Sequence, residues 1–185
     1  MTVHGAYRGI PRDDLGYLNS AGRPSVFHRA NLPRTGLDDV AALATGVMTS
    51  ADLWLNEGDL VTNLTFISGA TAAGTPTAWW FAIYDTTGAL MAQTADQTTT
   101  AWAADTVKTV ALATAQRITK SGLYKAAINV TATTVPTLVG TVGSKPVLTG
   151  EGNLAQTSGS GLTTTAPATI ATPAFKRVVP LVIAT

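Results

Sequence analysis

Between Val47 and about Val135 the apolar residues of this chain recur at every second position, the spacing that puts alternate side chains on the two faces of a β-strand. "VMTSADLWL" reads as a first strand and Glu57-Gly58 as a turn. "DLVTNLTFIS" then places Leu60, Thr62, Leu64 and Phe66 on one face and Val61, Asn63, Thr65 and Ile67 on the other. After a Gly/Thr/Pro loop at 69–77, both faces of the next run are apolar: Trp79, Phe81 and Ile83 on one, Trp80, Ala82 and Tyr84 on the other. Such a strand belongs in the middle of a sheet, covered on both sides. Asp85 and Gly88 hold the first and last places of a type I turn, where a carboxylate can accept from backbone N–H groups and glycine tolerates a positive φ. "ALMAQTA" returns antiparallel. "DTVKTVALA" and "GLYKAAINVTA" supply two more strands. In the second, Tyr124, Ala126, Ile128 and Val130 point inward, against Leu123, Lys125, Ala127 and Asn129.

Short strands joined by Gly/Thr/Pro turns predict an all-β, antiparallel β-sandwich with jelly-roll-like topology and an extended N-terminal arm. Residues 1–46 form that arm, in which "TGLDDVAALATG" predicts a short helix capped by Thr35, with Asp38 and Asp39 near its positive end and Gly46 as its stop. Residues 47–140 are the sandwich core. Residues 141–185 form a Gly/Thr-rich loop, with "SGSG" and "TTTAPATIATPA", and a terminal strand "FKRVVPLVIAT" that returns to the sandwich, where Pro180 implies an edge or a bulge.

Composition narrows the classes of function. With no cysteine in 185 residues the chain has neither a disulfide framework nor a thiolate metal site, and it can fold in a reducing cytoplasm. Twelve basic and eleven acidic residues, a net charge of +1, argue against a surface built to neutralise phosphates, so no nucleic-acid partner is expected. "MTVHGAYRGIPRDD" lacks the apolar core of a signal peptide, and "AWWFAIY" and "VVPLVIAT" are far short of a membrane span, so neither general secretion nor membrane insertion is expected.

No cluster of residues carries a recognisable catalytic chemistry, so no enzyme, cofactor or metal is expected. Both histidines, His4 and His28, sit in the arm. Asp13-Asp14 and Asp38-Asp39 lack a calcium-loop pattern and read as turn-forming and helix-start residues, and there is no phosphate-binding loop and no nucleophile elbow. The sequons at Asn63 and Asn129 fall inside predicted strands. Of Trp79 and Trp80, one is expected between the sheets and the other beneath the arm or a subunit. Trp102, in a polar loop, is the candidate for stacking on a sugar. The arm's arginines, interleaved with aromatics and without lysine, point to an interface with a neighbouring subunit: Arg8, Arg12, Tyr17, Arg23, Phe27, Arg29 and Arg34 are the candidate partner-binding residues.

The stretch "TPTAWWFAIYDTTGALMAQTADQTTTAWAADTVKTVALATAQRITKSGLYKAAINVTA" resembles the β-sandwich module of accessory virion proteins of tailed phages infecting actinobacteria, the likeness covering about residues 47–135. It rests on Trp79/Trp80, the Asp85–Gly88 turn, Thr94–Asp96, Trp102, and the strand opening at Gly122–Tyr124. The resemblance implies a structural protein of the virion with no catalytic residues. Head decoration is the first expectation, with the arm clamping the major capsid protein, or tail subunits in the case of a minor tail protein. A homo-oligomer, a trimer by preference, is expected. A carbohydrate-binding or receptor-binding module is the alternative.

Overall fold

The computed structural model describes residues 27–40 and 43–185. Thirteen strands follow one another along them: β1 (Arg29–Ala30), β2 (Asp38–Val40), β3 (Met48–Leu55), β4 (Leu60–Ile67), β5 (Gly74–Tyr84), β6 (Leu90–Gln93), β7 (Val107–Arg117), β8 (Gly122–Thr134), β9 (Leu138–Val142), β10 (Ala155–Ser158), β11 (Ala174–Phe175), β12 (Val178–Pro180) and β13 (Val182–Ala184). All pair antiparallel, in a six-stranded sheet β11-β10-β3-β8-β5-β6, a four-stranded sheet β1-β13-β4-β7 and a three-stranded sheet β12-β9-β2.

The pairing is nested. β3 pairs with β8, β4 with β7 and β5 with β6, and all three registers are centred within a residue or two of the Asp85–Gly88 turn. Residues 48–128 are therefore one long hairpin. Its outer strands roll back so that β8 also pairs with β5 while β4 and β7 lie in the facing sheet, the topology of a jelly roll. The expected sandwich is present.

Between the sheets Leu53, Trp79, Phe81, Ile83, Tyr124, Ala126, Ile128 and Val130 meet Val61, Leu64, Phe66, Leu112 and Val182. The inward face read for β8 and the split faces of β5 are as the alternation predicts. β4 departs from it. A bulge at Thr62-Asn63, whose two N–H groups share the Thr185 carbonyl at 2.7 and 2.8 Å, shifts the phase, so Val61 faces inward together with Leu64 and Phe66.

The expected helix after Thr35 is absent: Asp38–Val40 is a strand against Leu138–Val142, and no helix occurs among the described residues. The Asp39 carboxylate accepts from the Ala70 N–H at 2.9 Å and lies where a Cβ on Gly69 would stand, so the acidic doublet braces a loop rather than starting a helix. The 141–185 segment holds more than one strand, with β10 extending the large sheet and β12 the small one.

Candidate functional site

The second apolar layer, on the outer face of the large sheet, contains Met48, Trp80, Ala82, Tyr84, Ala127 and Ala166, with Leu90, Leu162 and Ile170 against it. A strap over residues 162–170 covers it. Trp80 Nε1 donates to the Thr163 carbonyl at 2.7 Å and Tyr84 Oη to the Pro167 carbonyl at 2.9 Å. The Gln93 side chain donates to Thr164 O and accepts from the Ala166 N–H. Burial pushes the Tyr84 phenol far above its ordinary value. Trp80 is thus covered by the chain's own strap, not by the arm or a second subunit.

Trp102 is also not a sugar platform. It is 1% exposed, 5.1 Å from the Trp79 ring and 5.8 Å from Phe81, with its Nε1 donating to the Thr106 carbonyl. The polar residues around it in sequence hid a core side chain. Trp54 is the tryptophan with an exposed ring among the described residues, at 39%.

Of the partner-binding candidates, Arg8, Arg12, Tyr17 and Arg23 lie outside the described residues. Phe27 packs on the main core, and the Arg29 guanidinium stands 4.8 Å above its ring. Arg29 is engaged within the chain: Nε and Nη2 donate to the two Asp59 oxygens at 2.9 and 2.8 Å. Arg34 is exposed. Residues 27–33, read as part of the arm, therefore pack on the body. β1 pairs with β13, and Asn31 brackets Pro180 O and the Val182 N–H through its side-chain amide.

Where this segment leaves β13 it forms one wall of a groove of about 440 Å³. Trp54 and Leu123, directly opposed across β3 and β8, line it together with Val142, Leu154 and Val179. Trp54 Nε1 donates to Asn56 Oδ1 at 2.9 Å, which fixes the ring edge and leaves a face open. The charged groups at the groove are all engaged. Asp52 forms an ion pair with Lys125, whose Nζ also donates to the Asn153 carbonyl at 2.8 Å. Burial raises the Asp52 carboxyl above its usual value despite that ammonium. Glu151 accepts from the N–H groups of Val147 and Leu148 at 2.7 and 3.2 Å, and these bonds hold its carboxyl below the usual range. The loop around residues 143–154 is thereby pinned at both its base and its tip.

Among the described residues no three His, Cys, Asp or Glu side chains come together in a way that could hold a metal ion, and no helix is long and apolar enough to cross a membrane. Asn129 is fully buried in the sheet. The Asp85 carboxylate accepts from Thr87 N, Thr87 Oγ1 and Ala89 N at 2.7–2.9 Å, making the turn its spacing predicts. What this arrangement can do chemically is present a mostly apolar concavity whose charged side chains are engaged within the chain.

The outward placement of Leu123 was readable in the strand alternation, and "VMTSADLWL" reads as a strand without a face for Trp54. Val142 and Leu154 were not readable, because their segment reads as loop. In comparisons with known proteins no family model matches the chain, and no curated protein matches it.

Proposed function

We propose that this chain is a non-enzymatic structural protein of a tailed-phage virion, made in the bacterial host cytoplasm, with head (capsid) decoration as the first reading and a minor tail position as the second. The observation that supports it is how the ionisable side chains are used. Arg29 with Asp59, Asp52 with Lys125, and Asp85, Asp96 and Glu151 each brace a turn, a strand or a loop of the chain's own fold. That is the distribution of a rigid fitting. The partner is the major capsid protein or a tail subunit, and residues Arg8, Arg12, Tyr17 and Arg23 supply the tether. A symmetric lattice engages many such tethers together, so modest contacts gain about 10²- to 10⁴-fold in avidity.

The test is quantitative mass spectrometry of purified particles of a phage that encodes the chain, scaled to the major shell protein. Head decoration requires on the order of hundreds of copies per particle, matching the symmetric lattice it binds, and a tail position only a few. Absence from the particles overturns the reading. The glycan-binding alternative passes from Trp102 to Trp54, whose emission should then respond to host cell-wall glycans.

A further inference from the structure

Six of the eight large hydrophobic residues exposed among the described residues belong to one region: Trp54, Leu123, Val142 and Leu154 line the groove, and Val147 and Leu148 occupy the adjoining loop. Val147 and Leu148 are 83% and 72% exposed, the highest values in that set. A flexible loop would hide such side chains or let them wander. This one holds them out, because the Glu151 carboxylate ties both their N–H groups and the Glu151 N–H returns to the Leu148 carbonyl at 3.1 Å. The molecule thus carries an apolar groove and, beside it, a fixed aliphatic tip.

We propose that this region is a self-association surface, in which the Val147-Leu148 tip of one copy seats in the Trp54–Leu123–Leu154 groove of a second copy. Two features of the molecule select that occupant. The first is the chemistry of the groove. A sugar needs converging polar groups with free hydrogen-bonding capacity, yet Arg29, Asn31, Asp52 and Glu151 all have partners within the chain. Most of what remains open is the Trp54 face and the aliphatic surface of Leu123, Val142 and Leu154, which suit aliphatic side chains. The second is placement. Tip and groove adjoin on the same molecule, so a two-fold axis between them brings each tip to the other copy's groove and makes both contacts at once, the self-complementarity of an isologous interface. Charge does not oppose it, because a chain of net charge +1 approaches its own copy with little repulsion. Burying the six side chains gives such an interface its apolar centre.

The experiment uses the free full-length chain. Sedimentation equilibrium up to ~0.5 mM, the weak end of specific affinities, should give a dimer. Trp54 emission should shift to the blue with concentration, since Trp79, Trp80 and Trp102 are already buried. Leu148→Asp and Leu123→Asp each alter an exposed side chain and leave the fold intact by circular dichroism. Each alone should weaken association at least tenfold. Mixed, they should recover part of it, because each pair then has one intact tip facing one intact groove. A monomer throughout, an oligomer indifferent to both substitutions, no recovery on mixing, or a monomer whose Trp54 emission responds to glycans overturns the proposal. The measurement needs no virion, so its failure is distinct from failure of the proposed function.

Discussion

At the scale of single residues, the four tryptophans show how the same side chain takes different work from its surroundings. Trp79 and Trp102 stack in the main core, Trp80 lies under the strap with its N–H on Thr163, and Trp54 keeps a face in solvent. Trp102 makes the sharpest test. Its sequence neighbours are polar, and a glycan contact there would be replaceable at little cost to folding. Buried against Trp79 and Phe81, it instead fills a volume that nothing else can take up. Trp102→Ala should lower stability by about 3–5 kcal/mol, the usual range for removing a large buried aromatic. Urea denaturation checks it. A loss below about 1 kcal/mol would return Trp102 to the surface.

At the scale of elements, the short segment from Phe27 to Pro33 belongs to the body. It adds a strand to the β13 edge, closes the Arg29–Asp59 pair, and supplies a wall of the groove. Deleting residues 1–34 removes Arg29 from an Asp59 carboxylate that is 8% exposed and also accepts from the Asn56 N–H, and it should cost about 3 kcal/mol or more. Thermal denaturation of the truncated chain beside the parent checks this, and equal stabilities would return the segment to the arm. This boundary shows where the sequence was legible. β3, β5 and β8 were readable because each buries at least one alternating face, β4, β6 and β7 from their apolar and threonine-rich runs between turns, and the hairpin turn because Asp85 and Gly88 satisfy a local rule. β1, β2, β9 and β10 were not. They are two to five residues long, they lie in polar or Gly-rich surroundings, and partners far along the chain decide their pairing. Asp38-Asp39 looked like a helix start because local capping rules cannot see the β9 edge that claims it. The groove inherited the same blindness. Its two walls from β3 and β8 were visible, and those from the 27–33 and 141–154 segments were not.

At the scale of the whole molecule, the nested registers make one turn the hub of the fold. Every pairing of β3 with β8, β4 with β7 and β5 with β6 encloses Asp85–Gly88, so the loop closed by each pair shortens once the next pair inward has formed. A chain whose outer strands meet across 67 (Leu55–Gly122) to 79 (Thr49–Ile128) residues should fold in milliseconds to seconds, from the inside outward. The Asp85 carboxylate should then act on the folding rate and little on unfolding. Removing it in Asp85→Ala forfeits three hydrogen bonds at a largely exposed site, and should cost about 1 kcal/mol, seen as roughly fivefold slower folding. The pH dependence gives the same group a second signature. Partial burial alone would raise its carboxyl, but the Thr87 hydroxyl and the nearby N–H groups of Ala89, Thr87 and Gly88 outweigh it and hold the carboxyl below its ordinary value. Its contribution is therefore complete above the ordinary aspartate range and is lost as pH falls through the lowered folded value. The gap in folding rate between the parent chain and Asp85→Ala should stay constant near neutrality and close in that acid window. Stopped-flow refolding across pH reads both effects. A loss that appears only in the unfolding limb would mean the turn forms after the sheets, and the inside-out order would be reversed.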